Sequence, residues 1–282
     1  MSESGIEDGR AALQWSGWTH RGRFRTNNED AFLALTFDAR QIRYLGKTGA
    51  IGMGEGDCVF AVSDGMGGAN AGEFASRIAV EKIGELMTRS FPLAAAGFHV
   101  GGHDFLEQLV EQIHREMVRQ GRAYEETSGM GATLTLCWVT PRKLYFAHVG
   151  DSRLYFLPRE GGIRQVSEDH THVGWLQRTG RISAAQARFH PRRNQLQQVL
   201  GGNQRRVDPQ LGTIEYESGD RLVLRTDGVT DALSDASIER LVREPPARLS
   251  QEAPANRLVL EGMDSASRDN LTAIVVEFGA AP

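Results

Sequence analysis

Hydrophobic and polar positions along this chain change period several times, and each change marks an element. Residues 12–18 and 30–37 read as strands separated by the polar stretch 19–29. Cys58-Val59-Phe60-Ala61-Val62 is a short apolar run ending at Ser63-Asp64-Gly65, the shape of a buried strand entering a turn. The spacing then becomes three and four. Phe74, Ala75, Ile78, Ala79, Ile83 and Leu86 predict a helix over about 72–87. Phe105, Leu109, Ile113 and Met117 predict a second over about 104–118, with Asp104 as its N-cap. Strand patterns return at 133–139, 144–149, 153–157 and 163–166, broken by turn residues such as Thr140-Pro141 and Gly161-Gly162. Short helices are expected within 170–200, strands at 211–216 and 221–226, helices at 235–243 and 254–263, and a last strand at 271–278. Residues 38–57 hold five glycines and little pattern, so they read as a loop insertion, exposed and away from any site.

Helices and hairpin-linked strands alternate here without a regular βαβ repeat. That favours an α+β fold with antiparallel sheets over a doubly wound one. With no linker or internal repeat, residues 11–280 are expected to form one domain behind a flexible tail, residues 1–10.

Composition narrows the class. At 40% hydrophobic and 24% charged, the 282 residues can bury a core. No apolar run is long enough to span a membrane, and the polar start of the chain lacks a signal-peptide core, so a cytoplasmic protein is expected. A net charge of −4 disfavours a general nucleic-acid binder. Two cysteines, Cys58 and Cys137, are too few for a disulfide framework and read as buried small hydrophobes.

Familiar catalytic motifs fail. Gly46-Lys47-Thr48 lacks the upstream glycine of a phosphate loop, and no arginine stands six residues after either cysteine. His170 and His172 would point to opposite sides of a helix, and His170 reads as a flap or capping residue rather than a ligand. Acidic turns remain: Asn28-Glu29-Asp30, Ser63-Asp64-Gly65, Gly150-Asp151-Ser152, Thr226-Asp227-Gly228 with Asp231 beyond it, and Arg268-Asp269-Asn270. Any one is an ordinary turn. Carboxylates that converge repel one another unless cations neutralise them, and an all-oxygen donor set selects Mg²⁺ or Mn²⁺.

The same segments carry a family resemblance. Gly22-x-x-Arg25-x-x-Asn28-Glu29-Asp30, Val62-Ser63-Asp64-Gly65-Met66-Gly67-Gly68 and Ser128-Gly129-Met130-Gly131-Ala132-Thr133-Leu134 come in order. His148-Val149-Gly150-Asp151-Ser152-Arg153, Asp169-His170-Thr171, Gly180-Arg181-Ile182 and His190-Pro191-x-Arg193-Asn194 follow. Asp220-Arg221-x-x-x-x-Thr226-Asp227-Gly228 and Arg268-Asp269-Asn270-Leu271-Thr272 close the series, which runs from about 12 to 278. Together they resemble the bacterial form of the protein phosphatase 2C family of metal-dependent serine/threonine phosphatases.

The resemblance implies two packed antiparallel sheets with helices on both outer faces. It implies two Mn²⁺ or Mg²⁺ ions. Asp64 would bridge both, the Gly65 carbonyl would bind one, Asp227 and Asp269 the other, and Asp30 or Glu29 would act through water. Arg25 would bind phosphate, and a metal-bridging water would attack the phosphomonoester directly. Asp151 and Asp231 would hold a weaker third ion. Many eukaryotic members have a histidine acid just after the second-motif Asp-Gly; here that position is Met66, so the leaving-group proton must come from elsewhere. The expected partners are phosphorylated serine and threonine proteins and a serine/threonine kinase, with no nucleic acid or membrane, and the chain is expected to be a monomer. The alternative is a catalytically weak regulatory member that binds phosphoprotein.

Overall fold

The computed structural model describes residues 11–38, 41–52, 56–68, 71–95, 101–141, 143–265 and 267–280. The chain begins with β1 (Ala11–His20), β2 (Asp30–Phe37), β3 (Ile42–Tyr44), β4 (Thr48–Gly52) and β5 (Asp57–Met66). Helices α1 (Ala71–Ala95) and α2 (Gly102–Ala123) follow. Next come β6 (Gly131–Ala132), β7 (Leu134–Val139), β8 (Lys143–Val149), β9 (Arg153–Leu157) and β10 (Arg164–Gln165). Two short helices, α3 (His172–Arg178) and α4 (Ala184–Arg188), precede β11 (Leu200–Gly201), β12 (Gln210–Glu215) and β13 (Arg221–Arg225). The chain closes with α5 (Asp227–Ala232), α6 (Asp235–Arg243), α7 (Pro254–Asp264) and β14 (Leu271–Ala280).

The strands form two antiparallel sheets. One runs β10-β9-β13-β14-β1-β4; in the other β3, β2, β5, β7, β8 and β12 lie side by side, with β6 and β11 continuing from the end of β5. Alternation along the strands fixes which layer each residue joins. On β5, Phe60 and Val62 face the space between the sheets while Val59 and Ala61 face α1 and α2. On β14, Ile274 and Val276 point between the sheets, and Ala273 and Val275 point toward α5, α6 and α7. Three apolar layers therefore hold four layers of structure together, the helix–sheet–sheet–helix order that the resemblance implies.

Two expectations need correction. Asp104 does not cap α2: Gly101 holds the N-cap position, and Asp104 lies in the first turn, where an acid complements the helix dipole. Residues 38–57 are not a free loop. Leu35 to Phe37 of β2 pair with β3, β4 pairs with β1 over five residues, and Ile51 is buried between the sheets. Trp15 Nε1 also donates to the Gly46 carbonyl at 2.9 Å. Glycine-rich spacing hid these strands because, among their described residues, Ile51 alone is buried, with Ile42 packed against the core only in part. The tail, residues 1–10, lies outside the described residues, as do positions 39–40 and 53–55 of the glycine-rich segment. Cys58 and Cys137 are buried free thiols, as expected.

Candidate metal centre

The acidic turns gather at one end of the two sheets. Asp30 opens β2 and Asp64 stands near the end of β5, and the strand register sets them directly opposite each other. Asp227 starts α5 immediately after β13, and Asp269 precedes β14, the neighbour of β13. Asp151 lies in the tight connection from β8 to β9.

Local packing explains why two of these aspartates precede glycine. A Cβ on Gly65 would overlap the Gly72 carbonyl oxygen, and one on Gly228 would overlap the Asn270 carbonyl oxygen. Each Asp-Gly step thus lets a second backbone segment press against the site. The Gly65 amide also donates to the Glu29 carbonyl at 3.0 Å. Asn270 secures the loop before β2: its side-chain oxygen accepts from the Glu29 amide at 2.7 Å, and its amide nitrogen donates to the Arg21 and Asn27 carbonyls, each at 2.9 Å.

The electrostatics are those of concentrated negative charge. Asp30 is pushed up to about 7, first by burial and then by Asp227 and Asp269, even though the Thr226 hydroxyl donates to it at 2.7 Å. Burial, then repulsion from Asp227, Asp30, Asp151 and Asp269, holds Asp64 well above the usual carboxylate range. Asp227 is pushed up to about 6 by burial and by Asp269 and Asp231. Asp151 is raised by burial and by Asp227 and Asp169, against the pull of Arg153. The Asp64 and Asp227 carboxylates lie within hydrogen-bonding reach of each other, and Asp227 Oδ1 is buried with no hydrogen-bond partner. Two facing carboxylates need a shared proton or a cation.

Arg25, half-exposed, donates from Nη2 to Asp269 Oδ2 at 2.6 Å, so it stands at the rim of this cluster. Glu29 is set apart from Asp30: its carboxylate lies against Gly72 at the start of α1, and burial raises it. Asp231 lies one helical turn after Asp227 on α5 and accepts from Arg193 Nη2 at 3.0 Å. Met66 is exposed at the end of β5.

Several contacts were not assigned from the sequence. Thr226 hydrogen-bonds Asp30, and the Thr272 amide donates to Thr226 Oγ1 at 3.1 Å; both threonines stand in motifs whose aspartates drew attention first. His170 does not cap α3, because Thr171 does so through its Oγ1. His170 Nδ1 instead accepts from the Gly150 amide at 3.3 Å, while His148 Nε2 lies 3.0 Å from the Gly150 carbonyl. Two imidazoles thus clasp the turn that carries Asp151.

Among the described residues, no three acidic, histidine or cysteine side chains already close on one point as a finished ligand shell. The fit to metal rests on other observations: an all-oxygen donor set, the interacting Asp64 and Asp227 carboxylates, and the orphaned Asp227 oxygen. These are the features a hard divalent cation satisfies.

Known proteins agree in sequence and shape. A family model described as protein phosphatase 2C matches residues 47–261. The chain is similar to the serine/threonine phosphatase Stp of Listeria innocua, with 29% identity over 92% of this chain and 93% of the relative. The crystal structure of the serine/threonine phosphatase Stp1 from Staphylococcus aureus superposes with a TM-score of 0.75 at 28% identity, covering 94% of each chain. The catalytic domain of the phosphatase PstP, solved in complex with two manganese ions, superposes with a TM-score of 0.73 at 28% identity, covering 95% of this chain and 99% of that one. With the model match spanning most of its length, and its fold shared with these phosphatases, the chain belongs to the protein phosphatase 2C family of metal-dependent hydrolases.

Proposed function

We propose that the protein removes phosphate from phosphoserine and phosphothreonine in proteins, using divalent cations held by the acidic end of its two sheets. The observation that carries this reading is the mutually repelling set of buried Asp30 and half-buried Asp64, Asp227 and Asp269. Asp64 would serve both of two Mn²⁺ or Mg²⁺ ions, the Gly65 carbonyl one of them, Asp227 and Asp269 the other, and Asp30 or Glu29 would act through water. Asp151 and Asp231 would hold a weaker third ion. When bound, such ions neutralise phosphate charge and activate water for direct attack on phosphorus.

The protein's own groups do the rest. Asp64 is fixed by β5 and by its amide, which donates to Thr133 Oγ1 at 3.0 Å. Asp30 is oriented by Thr226. Arg25 has the reach and exposure to clamp two phosphate oxygens once it leaves Asp269. Among the described residues, no cysteine or histidine nucleophile stands in the cluster, which fits direct hydrolysis. Retention of all the acidic positions favours an active enzyme over a weak phosphoprotein-binding relative.

The substrates implied by this reading are products of a serine/threonine kinase, so a kinase and its targets are the partners, in a signalling role. We place the chain in the cytoplasm as a monomeric single domain over residues 11–280; among the described residues, no helix is long and apolar enough to cross a membrane.

The test is manganese content by mass spectrometry together with p-nitrophenyl phosphate turnover. The wild-type chain should take up metal and hydrolyse the ester. Asp227→Asn should lose both, with turnover down at least about a hundredfold, as expected for a ligand to the reacting centre. Unchanged turnover in Asp227→Asn would refute the assignment.

A further inference from the structure

Arg225 ends β13 two residues before Asp227, and its side chain is wholly buried. By strand alternation it shares the face of Val223, which packs with residues of α5, α6 and α7. Two of its nitrogens, Nε and Nη1, have no hydrogen-bond partner. Nη2 donates to the Tyr155 hydroxyl and reaches Asp235 Oδ1 at 3.5 Å. The same Asp235 oxygen accepts from the Tyr155 hydroxyl at 2.9 Å.

This is a costly arrangement. The strand register sets Arg225 directly opposite Arg153, whose Nη1 also donates to Tyr155, at 3.1 Å. Like charges opposed across a sheet repel, and a buried cation forgoes its hydration. Arg153 has its own carboxylate, Asp169, gripped through Nε at 2.8 Å and Nη2 at 2.6 Å. Among the described residues, Asp235 is the one carboxylate within ion-pair reach of Arg225. A well-packed apolar side chain would serve folding as well or better at this position.

What the pair encloses gives it a use. Arg225 and Asp235 stand on either side of α5, ten residues apart, and the span between them carries Asp227 and Asp231. With six residues, α5 is too short to persist on its own hydrogen bonds. Its N-cap Thr226 makes no capping bond, and the threonine hydroxyl donates to Asp30 instead. Ser267 Oγ holds the first turn by donating to the Gly228 carbonyl at 2.9 Å. Val229 and Leu233 bury the inner face, but apolar contact has no direction and does not set position along the axis. Beyond Asp231, the chain passes straight to Asp235 at the start of α6, a helix capped by Ser234.

We propose that Arg225 is a positioning residue. With Tyr155 and Asp235 it clips α5 in the place from which Asp227 and Asp231 serve the cations. The inference rests on the reading of the acidic end as a cation site.

The experiment measures Mn²⁺ affinity by calorimetry on the full chain, with the melting temperature in chelator and p-nitrophenyl phosphate turnover alongside. Arg225→Met should raise the Mn²⁺ dissociation constant about tenfold, as when a residue supporting a metal ligand is lost. Its melting temperature in chelator should hold level or rise, because a buried charge has gone. Asp235→Asn should also weaken Mn²⁺ binding, yet it should lower that melting temperature, because the guanidinium is then buried without its carboxylate. The double substitution should bind Mn²⁺ no more weakly than the weaker single variant, since both break one clip. Wild-type affinity in either single variant would overturn the proposal. So would a melting temperature that falls together with affinity in Arg225→Met, which would make Arg225 a packing residue. If the wild-type chain binds no Mn²⁺, the clip and the cation site fall together. If it binds Mn²⁺ and hydrolyses the ester while Arg225→Met binds as tightly, the clip alone falls.

Discussion

Single residues carry the sharpest consequences. Arg25 touches the cluster only through Asp269, with half of its side chain in solvent. Arg25→Ala should therefore leave metal content intact and weaken phosphate binding by about 1.5–3 kcal/mol, the size of a hydrogen bond to a charged group. An unaltered KM for a phosphopeptide would show Arg25 to be a surface residue. Asp151 calls for a two-substrate comparison. Met66 has no proton to donate, and p-nitrophenolate leaves without one, whereas a seryl or threonyl oxygen needs one. Asp151→Asn should keep the tightly bound metals and lose more turnover on a phosphopeptide than on p-nitrophenyl phosphate. Equal losses, or loss of all metal, would make Asp151 structural. Asp64, Asp151, Asp227 and Asp269 were legible in the sequence because each stands at a strand end beside glycine or asparagine, and Asp30 because it opens a strand two residues after Asn28. Their supports were less so. Nothing in the spacing of His148 and His170 shows that both meet Gly150, and nothing along the chain pairs Arg193 with Asp231, 38 residues away.

At the scale of elements, periodicity located the strands and helices that bury an apolar face. β2, β9 and α6 lie at the residues their patterns indicate, and α1 and α2 run longer than the stretches their apolar spacing marks. Two misses share a cause: the segments bury little of their own. α5 is a six-residue helix whose start, Thr226-Asp227-Gly228, reads as a turn. β3 and β4 are short edge pieces in a glycine-rich stretch whose hydrogen bonds come from β2 and β1. That pairing reverses the expectation that the stretch is a free loop insertion. Ile51→Ala should cost about 2–4 kcal/mol in urea unfolding, the range for emptying a buried isoleucine site. A loss near zero would restore the view of 38–57 as a loose insertion.

For the whole molecule, the concentrated charge links folding to pH and to metal. Asp30 and Asp227 ionise at about 7 and about 6 in the metal-free fold, against an ordinary value of 3.8. The folded state then holds protons more tightly than the unfolded chain across that window, so stability falls as pH rises through it. Chelated protein should melt at a lower temperature at pH 8 than at pH 5.5, and Mn²⁺ should raise the melting temperature more at pH 8, where the carboxylates are charged. A melting temperature that rises with pH in chelator would contradict this picture of the centre. Global arrangement was the part least visible in the chain: alternation told which faces are apolar, but the convergence of five turns on one end of the sheets is a property of strand order, which sequence spacing does not encode. The central claim is that these turns hold the cations that make the chain a phosphatase. It is tested most directly by phosphate release from a phosphothreonine peptide, measured in chelator and then across a Mn²⁺ titration. The account predicts no release in chelator and saturable recovery with Mn²⁺; full release in excess chelator would contradict it.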